Sequence, residues 1–127
     1  MEKSIFVVDD AANIAKLAAK IMENLGVVNV KSFSDPRKAL EEMKKMGGVS
    51  VLMTDITMPE IDGVMLANEA MLLNPGTIII FFSGYNDLND GEIIKGSFFL
   101  AKPFSIEEIE AKLVEAEVIA PPPVTQP

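Results

Sequence analysis

The chain has 127 residues and contains no cysteine and no histidine. Without thiols there is no disulfide framework and no thiolate metal site. Without imidazole there is no histidine ligand and no histidine general base. Any bound metal must be held by oxygen, which favours Mg²⁺, Mn²⁺ or Ca²⁺. Basic residues are also scarce: 11 Lys and Arg against 19 Asp and Glu leave a net charge of −8. That balance argues against sequence-independent binding to nucleic acid, which needs a basic surface, and against an anionic membrane surface. No apolar stretch reaches the roughly 18 residues of a membrane-spanning helix. Met1-Glu2-Lys3-Ser4 leads into a short β-branched run, not into a signal peptide. A soluble cytoplasmic protein is the expectation.

What is present is a 49% hydrophobic content, enough for a real core in a chain whose length fits one domain. Four apolar runs end on polar residues. Ile5-Phe6-Val7-Val8 meets Asp9-Asp10, and Val51-Leu52-Met53-Thr54 meets Asp55. Ile78-Ile79-Ile80-Phe81-Phe82 meets Ser83, and Phe98-Phe99-Leu100-Ala101 meets Lys102-Pro103. As parallel strands of one sheet, the runs would gather three carboxylates, a hydroxyl and an ammonium on one edge.

The pattern between the runs supports that arrangement. The first strand, about Lys3 to Val8, is nearly continuous in its apolar character, as expected of a strand covered on both faces. A helix follows from about Ala11 to Leu25. Its expected buried stripe is Ile14, Leu17, Ala18, Ile21 and Leu25, with Asp10 or Asn13 as cap and Gly26 as stop. Val27 to Phe33 alternates partly and reads as a strand nearer the sheet edge. Ser34-Asp35-Pro36 starts a helix that turns Ala39, Leu40 and Met43 inward and stops at Gly47-Gly48. The third strand is Val49 to Thr54. A long loop, Ile56 to Gly63, precedes a helix from about Val64 to Leu73. The fourth strand is Thr77 to Phe82.

Tyr85 to Gly91 is rich in poor helix formers, so the fourth helix is expected to be short or frayed, around Gly91 to Lys95. Ser97 to Ala101 is the fifth strand. Ser105-Ile106-Glu107-Glu108 is a capping box opening a final helix that ends near Glu117, with Ile106, Ile109 and Leu113 as its buried stripe. The Pro-rich tail reads as an extended segment or linker start. Residues 1–118 are therefore expected to form the domain and 119–127 the tail.

Strands alternating with helices imply an α/β parallel sheet with helices on both faces. Ligands of such sheets bind beyond the carboxyl ends of the strands, where the strand order switches. Asp9, Asp10 and Asp55 crowded there would repel one another unless a cation joined them or their pKa values rose. Mg²⁺ suits such a site, since it takes one or two carboxylates together with waters and phosphate oxygens. Lys102, held extended by Pro103, can reach across as a phosphate-pairing charge. Ser83, followed by Gly84, can donate a hydrogen bond to a phosphoryl oxygen.

In this combination the chain resembles the response-regulator receiver domain of two-component signalling, from Lys3 to about Glu117. The resemblance rests on Val7-Val8-Asp9-Asp10, on Asp55 with Met58-Pro59 and Asp62-Gly63, on Ser83-Gly84, and on Lys102-Pro103-Phe104. It implies a doubly wound, flavodoxin-like sheet of order 2-1-3-4-5. It implies that Asp55 accepts a phosphoryl group from a histidine kinase or phosphotransfer protein. Asp9, Asp10, Asp55 and the backbone carbonyl of Thr57 would hold Mg²⁺, or Mn²⁺. Lys102 and Ser83 would bind the phosphoryl oxygens, and Ser83 with Phe99 would form the switch. The only chemistry implied is the domain's own phosphoryl acceptance and dephosphorylation. The output is an unknown downstream protein, and the expected state is a monomer or weak dimer.

Three features depart from the family's usual pattern: Ser83 in place of Thr, Phe99 in place of Tyr, and a stretch from Ser83 to Phe99 about one helical turn short. Thr57 and Tyr85 flank the expected phosphoryl position and are ill suited to orienting a hydrolytic water, so slow self-dephosphorylation is expected. A phosphatase of the haloacid-dehalogenase type would need a second Asp two residues after its nucleophile. Ala11, Ala12 and Thr57 stand there instead. A flavin carrier would need a Ser/Thr/Gly-rich loop where Asp9-Asp10-Ala11-Ala12 lies. A degenerate receiver acting only as an interaction module is the remaining alternative, and the complete acidic and lysine set speaks against it.

Overall fold

Five parallel strands, numbered along the chain, pair in the order second, first, third, fourth, fifth in a computed structural model. It describes residues 3–83 and 94–121, with Ser83 described by its backbone alone. The strands are β1 (Ile5–Val8), β2 (Val30–Phe33), β3 (Val51–Asp55), β4 (Ile78–Ser83) and β5 (Phe98–Ala101). The helices among the described residues are α1 (Ala12–Asn24), α2 (Pro36–Met46), α3 (Gly63–Leu73) and α4 (Ile106–Glu115). Of the expected fourth helix, around Gly91 to Lys95, only Ile94 and Lys95 fall among the described residues, and neither is helical.

Side chains alternate across each strand, and this alternation divides the core in two. Val7, Met53, Ile80, Phe82 and Leu100 face α1 and α4, packing against Ala15, Ala18, Met22, Ile109 and Leu113. Phe6, Val8, Leu52 and Phe81 face α2 and α3, against Ala39, Met43, Leu66, Ala67 and Ala70. β1 and β3 are buried on both sides, which explains their unbroken apolar runs. β2 is the half-exposed edge strand that its alternation announced.

Local signals set the helix ends. Asp35 caps α2 by accepting the Arg37 amide at 3.0 Å, with Pro36 in the first turn. Gly47 ends it in the left-handed conformation, φ 80°. The capping box of α4 is complete: Ser105 accepts from the Glu108 amide at 3.1 Å, and Glu108 accepts from the Ser105 amide at 3.0 Å.

Three expectations are corrected. The N-cap of α1 is Ala11, with no side-chain cap, so neither Asp10 nor Asn13 serves. The Asp9 carboxylate lies close enough to take the Ala11 amide instead, at 2.9 Å. The inward face of α1 is also rotated: Ala15, Ala18, Ala19, Ile21 and Met22 are buried, whereas Leu17 is 49% exposed. Small alanines let the helix lie close to the sheet, and the bulkier Ile14 and Leu17 are left at its rim. Ile106 is 55% exposed, and the buried residues of α4 are Ile109 and Leu113 alone.

Candidate functional site

Register decides what meets at the carboxyl edge. Val8 pairs with Thr54, Asp55 with Phe82, Phe82 with Leu100, and Ser83 with Ala101. The two-residue period then places Asp9, Asp55 and Lys102 on the α1–α4 side, each at or just past the end of its strand.

Asp9 is fully buried. Its Oδ1 accepts from the Ala11 amide, and its own amide donates to the Phe33 carbonyl at 3.1 Å. Its Oδ2 is ion-paired with the Lys102 ammonium at 2.7 Å and meets no other polar partner. Lys102 also reaches Asp55 Oδ2 at 3.3 Å. Asp55 Oδ1 accepts from the Ile56 amide at 2.9 Å. Asp10 is exposed, yet one carboxylate oxygen from each of Asp9, Asp10 and Asp55 falls within 4.8 Å of the others.

The electrostatics follow from this crowding. The Asp55 carboxyl is pushed up from 3.8 to about 6, first by burial and then by the neighbouring Asp9 charge. Lys102 and the Ile56 amide only partly offset that rise. Burial works to discharge Lys102, but its contact with Asp9 and the charges of Asp55 and Asp9 outweigh that and raise its pKa. One ammonium thus faces two of the three carboxylates, Asp9 and Asp55. A hard divalent cation fits the donor set: the oxygens are close, all are carboxylate, and the buried Asp9 Oδ2 has only the Lys102 ammonium beside it.

The loop after Asp55 is pinned at several points. Thr57 is exposed and Met58 is buried. Asp62 caps α3 through the Met65 amide at 2.8 Å, and Gly63 donates to the Ile56 carbonyl at 2.6 Å. Gly63 must lack a side chain, since a Cβ there would collide with the Asp55 carbonyl oxygen and lie 2.9 Å from its carbonyl carbon. Glu60 adopts φ 70° and pairs with Arg37 at 2.8 Å, tying the loop to α2.

The structure therefore brings together Asp9, Asp10, Asp55 and Lys102, with Thr57 in the adjoining loop. Ser83 ends β4 beside them, but its side chain, like Gly84 and Tyr85, lies outside the described residues. Phe99 is on the opposite face of the sheet, half-buried and stacked on Phe81 with ring centroids 5.7 Å apart. Sequence reasoning overlooked the constraint at Gly63 and the nearness of Phe82, whose ring lies 5.7 Å from the Lys102 ammonium. Strand register was the missing signal for Phe82. A cavity of about 470 Å³ at the opposite edge, lined by Lys3, Ser4, Asn29 and Met46 among others, touches none of these groups.

Known proteins are similar to this chain over most of its length. The sequence model of the response regulator receiver domain matches residues 5–114. The response regulator receiver protein CpdR of Brucella abortus (strain 2308) is 32% identical over 121 residues, covering 90% of this chain and 99% of that protein. The sensor kinase CckA of the same organism is 28% identical over 116 residues, 88% of this chain but only 12% of that longer protein. A receiver protein from Sinorhizobium medicae WSM419 superposes with TM-score 0.81 at 24% identity, over 91% of this chain and 94% of that one, which speaks to the fold alone. With the matching family model spanning most of its length, the chain belongs to the response regulator receiver domains of two-component systems.

Proposed function

We propose that this receiver is a phosphorylation switch whose acceptor is Asp55. The observation that carries the reading is the Asp9–Asp10–Asp55 cluster with Lys102 inserted between two of its carboxylates. An Asp55 carboxylate oxygen attacks the phosphorus of a phosphohistidine on a kinase or phosphotransfer protein. The new P–O bond forms as the P–N bond breaks, and the imidazole nitrogen leaves with the electron pair. The product is an acyl phosphate.

Asp9, Asp10, Asp55 and the Thr57 carbonyl would hold Mg²⁺, or Mn²⁺, which neutralises charge on the phosphoryl oxygens when bound. Lys102 supplies a second positive charge, and Ser83 a hydroxyl. Contacts to the phosphoryl group then favour one of two conformations, coupling the site to Ser83 and Phe99 and so to a downstream partner surface. Residues 1–118 form the switching unit, and 119–127 serve as tail or linker.

The test is incubation with Mg²⁺ and acetyl phosphate, read by intact mass, or with beryllofluoride, read by amide NMR shifts. One added phosphoryl group, absent in Asp55→Asn, is the expected result. No response in the wild type would leave a phosphorylation-independent interaction module. A response that survives Asp55→Asn would move the acceptor elsewhere.

A further inference from the structure

We propose that Phe82 is the positioning residue that holds Lys102 over the site. The inference rests on the reading of Lys102 as the group that pairs with the phosphoryl oxygens. β5 and β3 are separated by β4, so Lys102 must span two strand spacings, roughly 10 Å, to reach Asp55. The β4 residue in the Asp55 row, with its side chain on the same face, is Phe82. Its ring centroid lies 5.7 Å from the Lys102 ammonium, within reach of a cation–π contact.

The ring is itself fixed. Phe82 is fully buried, and Phe104 stacks on it with centroids 5.4 Å apart and planes at 20°. Two residues of the Lys102-Pro103-Phe104 segment thus close around one ring, the ammonium and the second aromatic. A lysine stem has four flexible methylenes, and its ammonium is drawn to water. Here its side chain is only 25% exposed.

The ring matters because the other anchors are temporary. The ion pairs at 2.7 Å to Asp9 and 3.3 Å to Asp55 involve the carboxylates that metal and phosphoryl group must engage. The contact with Phe82 involves neither. Phe82 therefore keeps the ammonium in place while its anionic partners change from carboxylate to phosphoryl oxygen.

The first test needs no variant. The ε-methylene protons of Lys102, assigned by NMR, are expected upfield of those of the other lysines, and to stay there with saturating Mg²⁺ and beryllofluoride. An ordinary shift, or one lost on saturation, overturns the role of Phe82. The second test compares Phe82→Leu with Phe82→Tyr. Phe82→Leu is expected to weaken beryllofluoride binding roughly five- to tenfold while leaving Mg²⁺ affinity within about twofold, and Phe82→Tyr to restore beryllofluoride binding. Equal weakening of both ligands in Phe82→Leu would mark a general packing defect and refute positioning. Wild-type protein that binds no beryllofluoride would instead remove the phosphorylation reading, whatever the ring contact shows.

Discussion

Replacing Asp55 with Asn should stabilise the metal-free protein, and the gain should appear only above a defined pH. The Asp55 carboxyl titrates at about 6 in the folded chain and at about 3.8 when unfolded. Between those values the folded state binds more protons than the unfolded one. Stability tied to Asp55 is thus fully present below about 3.8 and is lost as pH rises through about 6. A shift of about two units corresponds to roughly 3 kcal/mol at most. The side chain keeps 11% exposure at the sheet edge, so about 2 kcal/mol is the working figure. Asparagine resembles the protonated carboxyl, being neutral and of the same shape. Asp55→Asn should therefore match wild type near pH 4 and exceed it by about 2 kcal/mol near pH 8, a midpoint difference of roughly 1 M urea. The assay is urea unfolding in a chelator at both pH values. Mg²⁺ should raise wild-type stability more than that of the variant. Equal stability at pH 8, or a destabilised variant there, would show that burial and Asp9 do not strain Asp55.

Lys102→Met should cost about 2 kcal/mol without metal, because buried Asp9 loses its countercharge. It should nevertheless tighten Mg²⁺ binding and weaken beryllofluoride binding, both measurable by titration; looser Mg²⁺ binding would contradict the idea that ammonium and metal compete for Asp9. Gly63→Ala should destabilise by roughly 2 kcal/mol or more and weaken Mg²⁺ binding, since a Cβ displaces α3 from the Asp55 backbone. Unchanged thermal stability would refute that packing constraint. Tyr85→Ala should shorten the lifetime of the aspartyl-phosphate measured by phosphate release, and an unchanged lifetime would dismiss shielding by Tyr85.

Much of the site was legible because its parts are local. Each apolar run is a strand, each ends on its own polar residue, and parallel pairing leaves those ends on one edge. The caps of α2 and α4 were equally readable, since Asp35 and the Ser105–Glu108 box bond to amides two or three residues away. Faces were harder. The stripe of large residues on α1 pointed to Leu17, but the sheet accepted the alanine side. The pattern around Ile106 did not reveal that its side chain stays exposed while Ile109 and Leu113 are buried.

By itself the sequence determined the strand succession, the absence of thiol and imidazole chemistry, and the oxygen-only character of any metal site. Only the tertiary structure decided that Lys102 sits closer to Asp9 than to Asp55, that burial raises Asp55, and that the Phe82 ring lies near the ammonium. The reason is physical. Strand propensity and capping are set within a few residues, whereas distances between charges and their desolvation depend on register among strands separated in the chain by tens of residues.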